Sequence, residues 1–130
     1  MLFRSRLGPL FLLLVTCITV VSSKEYTLGL LIPYDVPRSD TSLVEGKYYA
    51  PAMIQAVDDV NNRSDLLPGH HLSFIWNETS CNETQALQAL TYLIHEKQVS
   101  AIIGPACSCR TSARLASALD IPMVSYVSCS

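Results

Sequence analysis

Charged residues are scarce in this sequence, and neither sign of charge is in clear excess. They make up 15% of the 130 residues, hydrophobic residues make up 49%, and the formal net charge is -2. This balance favours a packed globular fold over a disordered chain. Because no basic excess is available to meet a phosphate backbone, we exclude nucleic-acid binding. The length suits one domain.

The patterns of enzymes and metal proteins are missing as well. The sequence contains no phosphate-binding loop, no nucleophile spaced with a base and no motif of paired acids. Asp58 and Asp59 are adjacent, and we assign them to the solvent-exposed face of a helix. Cys107 and Cys109 lack a second close cysteine pair, and the histidines stand at no recognised ligand spacing. We therefore predict neither catalysis nor a metal site.

The first 23 residues have the pattern of a secretory signal peptide. A short basic region precedes an almost unbroken apolar run over residues 7–21, and small residues follow it. We expect cleavage after Ser23, so that residues 24–130 form the mature domain. A signal anchor is one alternative, although the apolar run is shorter than the roughly 20 residues of a spanning helix. A bacterial lipoprotein acylated at Cys17 is another, although the preceding threonine is a poor match.

The cysteines and the glycosylation sequons agree with secretion. Removing the signal peptide leaves an even number of cysteines in an oxidising compartment, so disulfides are expected, but spacing alone does not choose among the three possible pairings. These cysteines are Cys81, Cys107, Cys109 and Cys129. N-glycosylation sequons begin at Asn62, Asn77 and Asn82. We expect a secreted protein or one on the extracellular face of the plasma membrane.

The mature chain alternates apolar runs of strand length with amphipathic runs of helix length. Strands are predicted at 26–32, 71–76, 99–103 and 123–127, and helices at 48–61, after a cap at Asn82, and at 111–119. This order predicts an α/β fold of three layers, in which a parallel sheet with right-handed crossovers carries helices on both faces.

Ligands of such sheets approach the carboxyl ends of the strands. Two loops are expected there, at residues 33–46 and 104–110. In the second loop Gly104 permits an unusual backbone angle, and several amides can face an anion near the start of the following helix. These are the amides of Ala106, Cys107 and Ser108. The alternative is a tight strand-to-helix turn without a ligand.

Five segments of the mature chain match the pattern of a known family, in order and at compatible spacing. They are Tyr48-Tyr49-Ala50-Pro51-Ala52, Ser64-Asp65-Leu66-Leu67-Pro68-Gly69, Ile103-Gly104-Pro105-Ala106-Cys107, Ala113-Arg114-Leu115-Ala116-Ser117 and Ile121-Pro122-Met123-Val124-Ser125. Together they resemble the receptor ligand-binding region shared by natriuretic peptide receptors and receptor guanylate cyclases, which is related to type I periplasmic binding proteins. The resemblance implies a partial, membrane-distal first lobe of that fold.

The same resemblance implies a disulfide and a binding loop. The family bonds two cysteines that correspond to Cys81 and Cys107, which leaves Cys109 and Cys129 to bond to each other or elsewhere. Some members bind chloride at the amides of this loop, and amino-acid-binding relatives hold a ligand carboxylate there with the help of hydroxyl groups. The implied binding residues are Gly104, Ala106, Cys107, Ser108 and Thr111, with Ala106 standing where a glycine often sits.

The resemblance also implies a function for this chain. It is the ligand-binding region of a cell-surface receptor, truncated before the second lobe, the membrane span and any cyclase, with no cofactor other than a possible chloride ion. The implied partners are a peptide hormone or a small-molecule ligand, and a second copy in a homodimeric parent receptor. The alternative is a receptor or binding protein of the same fold for a small, amino-acid-like ligand.

Overall fold

The computed structural model describes residues 23–34, 36 and 46–127. The expected signal peptide, apart from Ser23, lies outside the described residues, and so do most of the loop after the first strand and Cys129. Within the described ranges, strands and helices alternate in the predicted order. They are β1 (Glu25–Ile32), α1 (Gly46–Asn61), β2 (His71–Glu78), α2 (Glu83–His95), β3 (Ala101–Ile103), α3 (Cys109–Ala118) and β4 (Met123–Val124).

The four strands form one parallel sheet in the order β2-β1-β3-β4. β1 and β2 pair along their whole length, from Glu25 opposite His71 to Ile32 opposite Glu78. Because β1 also pairs with β3, it lies inside the sheet, and the side chains of Leu30, Leu31 and Ile32 are all buried. A strand covered on both faces explains its almost continuous apolar sequence.

Helices cover both faces of the sheet, as the sequence predicts. On one face, Leu28 and Leu30 of β1 share an apolar cavity with Met53 and Val57 of α1. On the other face, the main core joins Leu31 of β1 to residues of α2, β3 and α3. The buried members of that core are Leu31, Ala89, Leu90, Leu93, Val99, Ile102 and Ala116. The three-layer α/β prediction is therefore confirmed.

The helices begin at defined hydrogen bonds. The Asn82 side-chain oxygen accepts the backbone N–H of Gln85 at 3.0 Å, which is the predicted cap of α2. α1 begins two residues earlier than predicted, because the Gly46 N–H donates to the Pro33 carbonyl at 2.8 Å and fixes the first turn there. Pro51 consequently lies inside the helix, beyond its first turn.

The last two strands are shorter than predicted. Val99 is buried, but its N–H donates to the Leu93 carbonyl at 3.2 Å, so it belongs to the connection after α2 and not to β3. β4 ends at Val124, since the Ser125 hydroxyl donates to the Val127 carbonyl at 2.8 Å and turns the chain away from the sheet. None of the described helices has the length and apolar character needed to cross a membrane.

Candidate functional site

The sheet changes its winding direction between β1 and β3. From β1 the chain passes through α1 to β2 on one side, and from β2 it passes through α2 to β3 on the other side. In open α/β sheets the crevice at such a switch point, outside the carboxyl ends of the strands, is the usual place for a ligand. Both loops predicted as candidates start here, one after Ile32 and one after Ile103.

Gly104 is required at the start of the loop that follows β3. Its φ angle is +99°, a conformation that side chains other than glycine rarely adopt. A Cβ atom at this position would collide with the Leu31 carbonyl oxygen, and the Gly104 N–H donates to Val124 at 2.9 Å. The expected unusual backbone angle is therefore present. Gly104 packs against Leu31 of β1 and donates to Val124 of β4, so the start of the loop is held against both neighbouring strands.

After Pro105, three successive residues carry backbone donors without a backbone acceptor. The N–H groups of Ala106, Cys107 and Ser108 donate to no other backbone group among the described residues. A cavity of about 340 Å³ lies at this loop, and Ala106 is only 6% exposed. The cavity is lined by Glu83, Ala106, Cys107, Ser108, Cys109, Arg110, Thr111 and Val127. The loop thus combines three donors that lack a backbone acceptor in the described part of the chain with space for a small ligand.

A disulfide fixes this loop to the segment before α2. It joins Cys81 to Cys107, the pairing that the family resemblance implies, and the two Cα atoms are 5.1 Å apart. Cys81 and the preceding Ser80 both have positive φ angles, of 51° and 47°, so the turn leading to α2 is held in an uncommon conformation. Cys109 is also disulfide-bonded.

α3 begins at Cys109, two residues before the predicted start, which changes the surroundings of Thr111. Ser108 occupies the N-cap position but makes no side-chain cap bond, and Thr111 lies in the first turn of the helix. Its hydroxyl donates to the Glu83 carboxylate at the start of α2. A ligand carboxylate at Thr111 would therefore have to replace Glu83.

Sequence reasoning missed Glu83 and Arg110, which bring opposite charges to the same cavity. Glu83 follows Cys81 by two positions, so the implied disulfide was the signal that could have placed it beside the loop. The first turns of α2 and α3 both carry the positive end of a helix dipole, which favours a carboxylate between them.

A second carboxylate that sequence reasoning missed holds the turn before α2. Glu78 accepts the backbone N–H groups of Tyr34 at 3.0 Å, Thr79 at 2.9 Å and Ser80 at 2.6 Å. It thereby links the end of β1 to the connection that carries Cys81. No pattern in the sequence marks this role, because it depends on the in-register pairing of β1 and β2.

Two tyrosines meet at the same edge of the sheet. The rings of Tyr49, in the first turn of α1, and Tyr126, after β4, have centroids 5.1 Å apart. The Tyr126 hydroxyl is buried and has no hydrogen-bond partner in the described structure. Burial, with a smaller contribution from Tyr49, raises the pKa of Tyr126 to about 12.

Other predicted positions lie away from this loop. The side chains of Asp58 and Asp59 are exposed on α1, as expected. Of the sequon asparagines, Asn62 and Asn82 are exposed, and Asn77 is half-buried in β2. Within residues 23–34 and 46–127, no group of three or more His, Cys, Asp or Glu side chains could hold a metal ion.

Comparison with known proteins identifies relatives of this chain. The chain is 34% identical to the resact receptor of Arbacia punctulata over 88 residues, which is 68% of this chain and 9% of that receptor. It is 29% identical to the receptor-type guanylate cyclase Gyc76C of Drosophila melanogaster over 119 residues, 91% of this chain and 8% of the cyclase. The chain therefore spans about a tenth of the length of these relatives.

The fold also matches a solved structure. The branched-chain amino acid substrate-binding protein LivJ of Streptococcus pneumoniae, in complex with isoleucine, superposes with a TM-score of 0.67. The superposition covers 79% of this chain and 29% of LivJ at 19% identity, which confirms the predicted periplasmic-binding-protein-like fold. The model of the family described as "Receptor family ligand binding region" matches residues 49–130. Since this is more than half of the sequence, the chain belongs to the family of receptor ligand-binding regions.

Proposed function

We propose that the chain forms part of the first lobe of an extracellular ligand-binding region, in a cell-surface receptor of the receptor guanylate cyclase type. Its binding element is the loop between β3 and α3, where an anion or a ligand carboxylate is held. The observation that carries this proposal is the set of unaccepted backbone N–H groups at Ala106, Cys107 and Ser108 beside a polar cavity at the switch point.

The physical argument begins with Ala106, which is buried. A buried donor without a partner costs roughly 1–3 kcal/mol, and a bound anion removes that cost. The positive end of the α3 dipole adds to the attraction. Chloride is small enough for the cavity of about 340 Å³ and can accept from several N–H groups at once. Chloride is thus the simplest ion for this loop.

The wider setting of this lobe is part of the same proposal. Cleavage after Ser23 delivers residues 24–130 to the extracellular side, where the disulfides form and the sequons become glycosylated. The receptor acts as a homodimer, and its ligand is a peptide hormone. The guanylate cyclase relative supports the receptor setting, and the Cys81–Cys107 disulfide supports the extracellular location.

Thermal unfolding tests the binding loop. Chloride, added at constant ionic strength against methanesulfonate, is expected to raise the Tm by mass action, with about 2.7 kcal/mol gained at a concentration of 100 times Kd. Ala106→Pro removes one N–H and is expected to abolish the response. Ser108→Ala is the matched control, because it keeps the backbone N–H and should keep the response. A wild-type Tm that does not change with chloride would contradict the proposal.

One observation favours the second candidate, a receptor for a small, amino-acid-like ligand. Glu83 and Arg110 line one cavity with opposite charges, which suits a ligand that carries both an ammonium group and a carboxylate. LivJ, with the same fold, was solved with isoleucine. Calorimetry with isoleucine and with glutamate separates the candidates. Glu83→Gln should weaken binding of an amino acid, and it should keep or strengthen the chloride response because it removes a negative charge from the same cavity.

A further inference from the structure

β2 is an edge strand of the sheet. The order β2-β1-β3-β4 places it at one end of the sheet, and no strand of the described chain pairs with its outer side. Its eight residues make an edge about 26 Å long. The N–H groups of His71 and Thr79 donate toward β1, so residues 72, 74, 76 and 78 face outward. The Asn61 side chain occupies the backbone groups of Leu72, and the Asn77 side-chain oxygen accepts the Glu78 N–H. The backbone groups of Phe74 and Trp76 remain open to the strand of another chain.

The sequence of β2 lacks the usual protection of an edge. The strand HLSFIWNE contains no lysine, arginine or proline, and half of it is large and apolar. Trp76 is 53% exposed. Its one acidic residue, Glu78, stands at the end of the strand, where its carboxylate accepts backbone N–H groups and does not guard the edge. Strand addition at Phe74 and Trp76 is therefore not opposed by charge.

Two of the three sequons of the sequence lie beside this strand. Asn62 precedes β2, Asn77 lies within it and Asn82 follows it. The end of α1 is tied to the beginning of β2, because the Asn61 side chain both donates to and accepts from the backbone of Leu72 at 2.8 Å. Asn62 is therefore held beside the start of the strand, and Asn77 lies at the outer edge near its end, where it accepts the Glu78 N–H. Asn82 lies toward α3, because the neighbouring Cys81 bonds to Cys107 and Glu83 accepts from Thr111.

The hydrogen bonds of these asparagines are compatible with glycosylation. The side-chain oxygen of Asn77 accepts the Glu78 N–H at 2.9 Å, and that of Asn82 accepts the Gln85 N–H at 3.0 Å. A glycan is attached to the side-chain nitrogen, which neither bond uses. The glycan can thus be present while the oxygen keeps its structural contact.

We propose that N-linked glycans at Asn62 and Asn77 shield the open segment of the β2 edge and prevent strand addition by a second chain. A glycan is bulky and solubilising, and two of them at the ends of this segment deny a neighbouring backbone the approach that a ladder needs. Any contact between copies is then confined to other surfaces of the domain.

The test compares the full chain, secreted by a eukaryotic host, with the variant N62Q/N77Q. The control N82D removes the third sequon, keeps the cap of α2 and should stay as dispersed as the wild type. Mass spectrometry measures glycan occupancy, light scattering measures self-association, and hydrogen exchange locates the contact. We expect occupied sequons in the wild type, and association of the variant at about tenfold lower concentration with new protection of amides 71–78.

A second measurement does not depend on whether the variant folds. The glycans are removed enzymatically from the folded wild-type chain, and the same association with protection of amides 71–78 is expected. Empty sequons would overturn the proposal. So would a deglycosylated chain that stays as dispersed as the glycosylated one, or association that protects only the region of β4.

Discussion

The Glu78 carboxylate receives the backbone N–H of Tyr34, at 3.0 Å to one oxygen and 3.1 Å to the other. The two residues are 44 positions apart, and their contact fastens the end of β1 to the end of β2. The same carboxylate accepts the N–H groups of Thr79 and Ser80, so it also shapes the turn that presents Cys81 to its disulfide partner.

Glu78→Ala is expected to lower the free energy of unfolding by roughly 1–3 kcal/mol, because it leaves several backbone donors of the turn without their charged acceptor. The substitution keeps the sequon at Asn77. Urea unfolding provides the measurement, and Glu96→Ala is the control, since Glu96 is exposed at the end of α2 and should change stability by less than about 0.5 kcal/mol. Equal losses for the two variants would contradict the role of Glu78.

The cap of α2 can be separated from the sequon that shares its residue. Asn82→Ala and Asn82→Asp both remove the sequon, but only the aspartate retains an oxygen for the Gln85 N–H. We expect the alanine variant to be less stable than the aspartate variant by about 1 kcal/mol. Chemical denaturation of both proteins decides this, and equal stability would show that the cap contributes nothing.

Much of the fold could be predicted from the sequence, because the interactions that determine it are local or recur periodically along the chain. The apolar run of β1 signals a strand covered on both faces, and the cap at Asn82 needs only residues three positions apart. The start of β3 and the end of β4 could not be predicted from the sequence. They depend on hydrogen bonds of Val99 and Ser125 that form only once the chain has folded.

The Cys81–Cys107 disulfide is expected to contribute about 3.5 kcal/mol in the chain-entropy model for a loop of this size. The double variant Cys81→Ala/Cys107→Ala should lose that stability and should also weaken the chloride response, because the loop is then no longer tied to the turn before α2. Non-reducing peptide mapping of the wild type must recover the two cysteines in one linked pair. A link from Cys107 to Cys109 would refute the pairing.

The raised pKa of Tyr126 predicts a loss of stability at alkaline pH. Burial raises its pKa from 10.0 to about 12, so the folded chain binds this proton more tightly than the unfolded chain. The contribution is fully present below pH 10.0 and declines as the pH rises through about 12. Tyr126→Phe should show a shallower decline in unfolding experiments over this range, and the exposed Tyr92 provides the control Tyr92→Phe. Identical pH dependence of wild type and Tyr126→Phe would disprove this account.

Of the candidate site, the loop backbone was predictable and its side-chain surroundings were not. Gly104 followed by a helix start indicates a strand-to-helix loop with donors, and the structure has that geometry. Glu83 comes from another helix and reaches Thr111 across 28 positions. A contact of this kind is set by the packing of α2 against α3, which residue patterns along one chain do not specify.

The central claim, that the loop between β3 and α3 binds an anion through its amides, is tested most directly by nuclear magnetic resonance. A chloride titration of the nitrogen-15-labelled chain at constant ionic strength follows each amide separately. We predict saturable shifts at Ala106, Cys107 and Ser108, with the exposed turn at residues 62–70 unchanged. Amides of the loop that stay in place throughout the titration, or that drift without saturation together with that turn, would contradict the claim.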